Sequence, residues 1–365
     1  MNGFAKALAT GLNPRLVTDA ARIGQSIIMG LPGPELTDGL RRLIRQINPG
    51  GYIFFTRNLA TPGQVFQLIT ELQSMSDLPL IFTIDQEGGR VSRLKVLGEE
   101  PPSAADLRDY GGVDVCAQHG TLMGRVLRSL GFNLNLCPVV DYCIDEAADN
   151  SLRGRCYGRT PDEVIEKASA FQAAMQAEGV HATAKHFPGY TFCEKDPHGA
   201  LPLITRSRDE LMANEIRVFQ HFARTSEAVM IGHGHFTAYH EEPLPASLSP
   251  LLIRQVLRSE LKFQGIVMTD DLEMGAVANA YGSAEASRQA ILAGNDFLLI
   301  CHNPACAEIA HDALKELPDS NLAETIGRVE SYRKTLALPP ATFDPTAFSE
   351  INAEIGAFRK QIRGS

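Results

Sequence analysis

The sequence has no excess of positive charge: 34 Lys and Arg are outnumbered by 43 Asp and Glu, a formal net charge of −9. This argues against the basic face of a nucleic-acid binder and suits neutral or small substrates. No apolar run approaches the ~18 residues that a membrane span requires. The opening Met1-Asn2-Gly3-Phe4-Ala5-Lys6 lacks a charged head, an unbroken apolar core and a cleavage site, so no export leader is expected. Seven cysteines, at 116, 137, 143, 156, 193, 301 and 306, are odd in number and scattered, without the short paired spacings of a zinc site or a disulfide framework. The expected home is a reducing cytoplasm. There is no internal repeat and no low-complexity linker. There is also no glycine-rich phosphate loop, since Gly30-Leu31-Pro32-Gly33-Pro34 has the wrong spacing and its prolines offer no N–H donor.

What is present is enough apolar residue for a large core: 44% of 365 residues, the length of one barrel-sized domain or two average ones. Eight apolar, β-rich runs recur along the chain, at 26–29, 52–55, 80–84, 132–136, 180–184, 228–231, 266–269 and 297–300, with helical periodicity between them. Thr61-Pro62-Gly63-Gln64 and Thr160-Pro161-Asp162-Glu163 read as helix starts of the capping-box kind, and Ser249-Pro250 and Asn303-Pro304 as weaker versions. Alternating strands and helices imply parallel right-handed crossovers. The simplest closed solution is an α/β fold of the (β/α)8 TIM-barrel type, with room for one or two irregular strands. An open doubly wound sheet is the competing architecture. Residues 1–365 are read as a single catalytic barrel domain, with the stretch from about 340 to 365, after Pro339-Pro340, as a packing extension.

In a barrel the residues just after each strand share one face, and here they are polar: Arg57-Asn58, Asp85 to Arg93, Asp141, Lys185-His186, Gly232-His233-Gly234-His235 and Asp270-Asp271. Charges gathered at one rim are costly unless they bind something. Asp270 ends a buried-looking strand, a rigid support suited to a nucleophile, whereas Asp271 reads as a turn or helix-capping residue. Asp85 and Arg93 flank Gly88-Gly89 and could form a fork for sugar hydroxyls or a charged substituent; the plainer reading is a tight loop pinned by its own ion pair. The stretch Lys185–His198 is rich in groups able to hold or move protons. In it, Asp196 and His198 stand two apart, a spacing that lets a carboxylate orient one imidazole nitrogen. By itself an Asp-x-His pair is more often an ordinary surface loop.

Three motifs together are more specific. Asp85-Gln86-Glu87-Gly88-Gly89-Arg90-Val91-x-Arg93, Lys185-His186-Phe187-Pro188-Gly189 with Asp196-x-His198, and Thr269-Asp270-Asp271-Leu272-Glu273-Met274 resemble the single-domain bacterial β-N-acetylglucosaminidases (β-hexosaminidases) of glycoside hydrolase family 3. Weaker echoes extend the resemblance over residues 25–315. It implies a retaining exo-glycosidase acting on terminal β-linked N-acetylglucosamine of muropeptides or chitooligosaccharides, in cytoplasmic cell-wall recycling. By motif position Asp270 corresponds to the nucleophile that forms a covalent glycosyl intermediate, His198 to the general acid/base and Asp196 to its dyad partner. Asp85, Arg93, Arg155, Lys185 and His186 correspond to sugar-binding residues. The expected partner is an N-acetylglucosamine-containing saccharide, with no nucleic acid, no membrane, no cofactor and no metal; protein partners are left open.

Two positions depart from the family pattern. The Pro-Gly pair is commonly followed there by His-Gly, where this chain has Tyr190-Thr191, and the residue between Asp196 and His198 is usually Ser, here Pro197. A proline in place of serine stiffens the loop. Three alternatives compete. Phosphate in place of water as acceptor would make a glycoside phosphorylase. A divalent-metal hydrolase would draw ligands from His186, Asp196, His198, His233 and His235. A sugar-binding barrel could have kept the fold and lost the chemistry.

Overall fold

The structure, a computed structural model, describes residues 22–147, 151–193 and 199–364. Eight parallel strands close a barrel: β1 (Ile27–Gly30), β2 (Gly51–Phe54), β3 (Ile81–Ile84), β4 (Leu134–Asn135), β5 (His181–Phe187), β6 (Ala228–Ile231), β7 (Ile266–Asp271) and β8 (Phe297–Ile300). Each pairs with its neighbour in sequence, and β1 closes the ring on β8 with Ile28 opposite Leu299. The fold is therefore the (β/α)8 barrel expected from the eight apolar runs.

The strands are apolar on both faces because both faces are buried. Ile28, Ile53, Ile81, Leu134, Met230, Met268 and Leu299 pack together in one cluster that fills the barrel. Alternate residues such as Ile27, Met29, Phe54, Phe82, Val229, Val267 and Leu298 belong to the larger cluster formed with the surrounding helices.

The helix starts follow from local chemistry. Thr61 and Thr160 accept from the backbone amides of Gln64 and Glu163, each ahead of a proline in the first turn. The return bond differs from a capping box: Gln64 and Glu163 accept from the amides of Ala60 and Arg159, one residue upstream of the cap. Ser249 and Asn303 cap as well, accepting from the amides of Leu252 and Ala305. The last helix, Pro345–Arg363, buries Phe348, Ile351, Ile355 and Phe358. It is tied to the helix Val113–Leu130 by a two-pronged Arg125–Glu354 pair at 2.6 and 3.1 Å.

Two of the barrel strands are irregular, and both irregularities fall at the same end of the barrel. Between Ala184 and Phe187, β5 carries one residue more than the matching stretch of β6; between Met268 and Asp271, β7 carries one more than β8. An extra residue breaks the in–out alternation and re-aims side chains. Consequently the consecutive residues Lys185 and His186 both reach the barrel mouth, as do Asp270 and Asp271.

Candidate active site

The mouth holds a cavity of about 370 Å³, a size within the small-molecule range of roughly 300–1,000 Å³. Its floor is the top of the barrel interior, Ile53, Leu136, Met230 and Leu299; its walls include Asp85, Arg93, Arg155, Lys185, His186 and Asp270. Six of the eight residues singled out by motif thus face one space. The remaining two, Asp196 and His198, lie outside the described residues.

Asp85 leaves β3 and enters a short ribbon, Gln86–Gly88 paired with Val91–Ser92. The turn needs glycine: Gly88 and Gly89 have φ of +100° and +56°, and a Cβ on Gly88 would sit 2.2 Å from the carbonyl oxygen of Pro102. The ribbon returns Arg93 to Asp85, Nη2 to Oδ2 at 3.5 Å. Lys185 Nζ donates to Asp85 Oδ1 at 2.8 Å and lies 2.8 Å from Glu87 Oε1. Arg155 closes the array, its Nε and Nη2 each 2.8 Å from the two oxygens of Glu87. Arg93, Asp85, Lys185, Glu87 and Arg155 therefore alternate in charge along one connected line.

Alternation decides the protonation states. Burial alone would raise the Glu87 pKa, but the Arg155 guanidinium and the Lys185 ammonium outweigh it and hold the carboxyl well below the usual range. Burial would likewise lower Lys185, and the carboxylates of Asp85 and Glu87 raise it instead.

His186 is oriented by Asp141, whose Oδ2 accepts from the His186 amide at 3.1 Å and from ring Nδ1 at 2.9 Å. The other oxygen of Asp141 accepts from the Tyr190 amide at 2.6 Å. The Tyr190 ring stacks on His186, centroids 5.0 Å apart, and its hydroxyl accepts from the His233 amide. That hydroxyl reaches under β6 because residue 232 is glycine: a Cβ there would be 2.5 Å from the phenol carbon and oxygen. His233 is buried, with Nε2 2.8 Å from the Asp271 carbonyl and Nδ1 2.8 Å from Ser247 Oγ. Because a carbonyl only accepts, Nε2 carries a hydrogen.

Asp270 sits beside this wall, and its Oδ1 accepts from the Asp271 amide at 2.8 Å. Burial would raise its pKa, yet the imidazoles of His233 and His186, that amide and Lys185 together lower it. Its neighbour behaves oppositely. Asp271 accepts from the amides of Glu273 and Cys301, the turn role read from the sequence, and burial, with the nearby carboxylates of Glu273 and Asp270, pushes its pKa up to about 7.

Motif reading did not assign roles to Glu87, Asp141 or Tyr190, and gave His233 only as a ligand in the metal alternative. Glu87 and Asp141 were legible as polar residues at strand ends, and Tyr190 as a departure from pattern; only the three-dimensional partners give them a task. Among the described residues no three His, Cys, Asp or Glu side chains come together as a metal site; Asp196 and His198 of the metal alternative lie outside them, and His186, His233 and His235 bond to Asp141, to Asp271 and Ser247, and to the Leu244 amide respectively.

An ionised carboxylate and a belt of hydrogen-bonding charges around a sugar-sized cavity at a barrel mouth suit an enzyme that acts on carbohydrate, and glycoside hydrolases are a class built this way. The chain belongs to glycosyl hydrolase family 3: residues 20–331 match the Glycosyl hydrolase family 3 N terminal domain. It is 33% identical over 307 residues to a β-hexosaminidase of Pseudomonas aeruginosa, covering 83% of this chain and 91% of the relative. A β-hexosaminidase of Thioalkalivibrio sulfidiphilus is 32% identical over 312 residues, 83% and 89% of the two chains. Among solved structures, a family 3 β-N-acetylglucosaminidase from Paenibacillus sp. superposes with a TM-score of 0.85 at 33% identity, over 93% of this chain and 68% of the other. NagZ from Neisseria gonorrhoeae, in complex with N-trifluoroacetyl-D-glucosamine, does so with 0.78 at 27% identity, over 92% and 97%.

Proposed function

We propose that this chain is a retaining exo-β-N-acetylglucosaminidase in which Asp270 is the nucleophile. His198, partnered by Asp196, is the general acid/base, and Asp85, Arg93, Arg155, Lys185 and His186 hold the terminal sugar. The observation that carries the reading is the convergence of Asp270, from the end of β7, with those five residues, from β5 and from the segments after β3 and β4, on one cavity. The names of the relatives agree with it, β-hexosaminidases among the sequences and β-N-acetylglucosaminidases among the structures.

The reaction begins with the Asp270 carboxylate attacking the anomeric carbon as the glycosidic bond breaks, the leaving oxygen taking a proton from the His198 imidazolium. Water, deprotonated by the now neutral His198, then attacks the same carbon and releases Asp270, giving the sugar with retained configuration. The lowered Asp270 pKa suits this role, since only the ionised carboxylate is nucleophilic. The charges of Asp85, Lys185 and Arg155 supply fixed donors and acceptors for the sugar hydroxyls without reorganisation. Muropeptides or chitooligosaccharides in a cytoplasmic recycling step are the substrates in view.

Release of 4-nitrophenol from its N-acetyl-β-D-glucosaminide tests the reading. Turnover lost in Asp270→Ala supports it; a wild-type protein that binds N-acetylglucosamine and leaves the glycoside intact overturns it in favour of a binding protein.

A further inference from the structure

Lys185 and Arg155 are both cations, they line the same cavity, and the Arg155 guanidinium acts to lower the Lys185 pKa. What holds them side by side is Glu87, which does not line the cavity itself. Its Oε1 lies 2.8 Å from both Lys185 Nζ and Arg155 Nη2, and its Oε2 takes Arg155 Nε. Each oxygen of this buried carboxylate is thus committed to a cation belonging to the cavity wall. The three residues come from different parts of the fold: the ribbon after β3, the strand β5, and the loop ahead of the helix Pro161–Ala177.

We propose that Glu87 is a positioning residue for saccharide binding, its carboxylate beneath the cavity fixing Lys185 and Arg155 relative to one another and thereby setting the affinity of the sugar site. The assignment rests on the proposed function, in which those two cations hold the sugar. Without the carboxylate the pair repels, and the remaining anion beside Lys185, Asp85, is already shared with Arg93. A guanidinium released from its fork also regains rotational freedom, which a bound sugar must then remove. Both effects weaken the ground state and the transition state alike, so the signature is in KM. A purely structural clamp has a different signature: a smaller folded fraction lowers apparent kcat and leaves KM unchanged.

The test uses Glu87→Gln, which keeps the shape and removes the charge, and Glu87→Asp, which keeps the charge and shortens the reach. With 4-nitrophenyl N-acetyl-β-D-glucosaminide, Glu87→Gln is expected to raise KM about tenfold or more with kcat within about threefold of wild type. Glu87→Asp is expected to fall between the two, and calorimetric binding of N-acetylglucosamine to weaken by the same factors as KM. KM and binding unchanged in the variants overturns the inference, whatever happens to kcat. If Glu87→Gln fails to fold, Glu87→Asp decides alone: a KM raised about threefold supports the assignment, and a wild-type KM overturns it. Failure of the functional reading is separately visible as wild-type protein without turnover, and the binding titration of the variants still tests Glu87 in that case.

Discussion

Asp141 holds His186 at two points, accepting from its backbone amide and from its ring Nδ1 with the same oxygen. Because a carboxylate only accepts, Nδ1 carries a hydrogen, which leaves Nε2 for the cavity. With the other oxygen taken by the Tyr190 amide, every contact of this buried carboxylate is an acceptance.

Asp141→Asn turns one oxygen into an NH2 group that must face a donor it cannot satisfy. The expected cost is about 1–3 kcal/mol of stability, with a raised KM as His186 loses its fixed orientation. Chemical denaturation and steady-state kinetics on the same preparation check both.

Glu215 packs beside Gly189, under the start of the Lys185–His198 stretch, and its Oε2 is buried without a hydrogen-bond partner. Burial pushes its pKa up from 4.5 to about 7, with Arg206 opposing and Asp141 reinforcing the rise. The folded state therefore binds this proton more tightly than the unfolded state. The associated stability is full below about pH 4.5 and is lost as pH rises through about 7. Asp271, raised from 3.8 to about 7, contributes in the same direction. Glu215→Gln, a mimic of the protonated form, is expected to match wild type near pH 4.5. At pH 8.5 it should be the more stable by on the order of 2–3 kcal/mol. Denaturation midpoints across that range test the sign.

Gly232 and Tyr190 occupy space that only one of them can fill, as a Cβ at 232 would meet the phenol at 2.5 Å. Gly232→Ala should cost about 1–3 kcal/mol in wild type and much less in a Tyr190→Ala background. A double-mutant cycle with no coupling would contradict the packing.

The barrel was legible because its signal is local and repeated: eight apolar runs, each bounded by turn chemistry, give eight strands within a few residues of where they are read. The short strand β4 shows the limit, since Asn133 and Asn135 within the 132–136 run use their side chains on the backbone of β3 and of Gln86. At the site, Asp85, Lys185 and Asp270 were legible as polar residues closing apolar runs; Asp85 follows β3 directly, while Lys185 and Asp270 lie within the last residues of β5 and β7. The two extra strand residues were not legible, since nothing in Ala-Lys-His-Phe or Thr-Asp-Asp says that neighbours will share a face. Partners such as Asp141 and Glu87 depend on side chains 45 and 68 positions away, and no local pattern records them.

His198 is expected to act on the leaving group. His198→Ala should slow substrates with poorly acidic aglycones far more than 4-nitrophenyl or 2,4-dinitrophenyl glycosides, by a factor in the range of about 10²–10⁴. Equal losses across a leaving-group series would count against an acid role.

The central claim, that Asp270 attacks the anomeric carbon, is tested most directly by trapping. A 5-fluoro derivative of N-acetylglucosaminyl fluoride slows glycosylation and deglycosylation while keeping a good leaving group, so the intermediate accumulates for peptide mass spectrometry. The account predicts one glycosyl adduct, on Asp270, absent from Asp270→Ala. An adduct on another side chain, or wild-type turnover retained in Asp270→Ala, would contradict it.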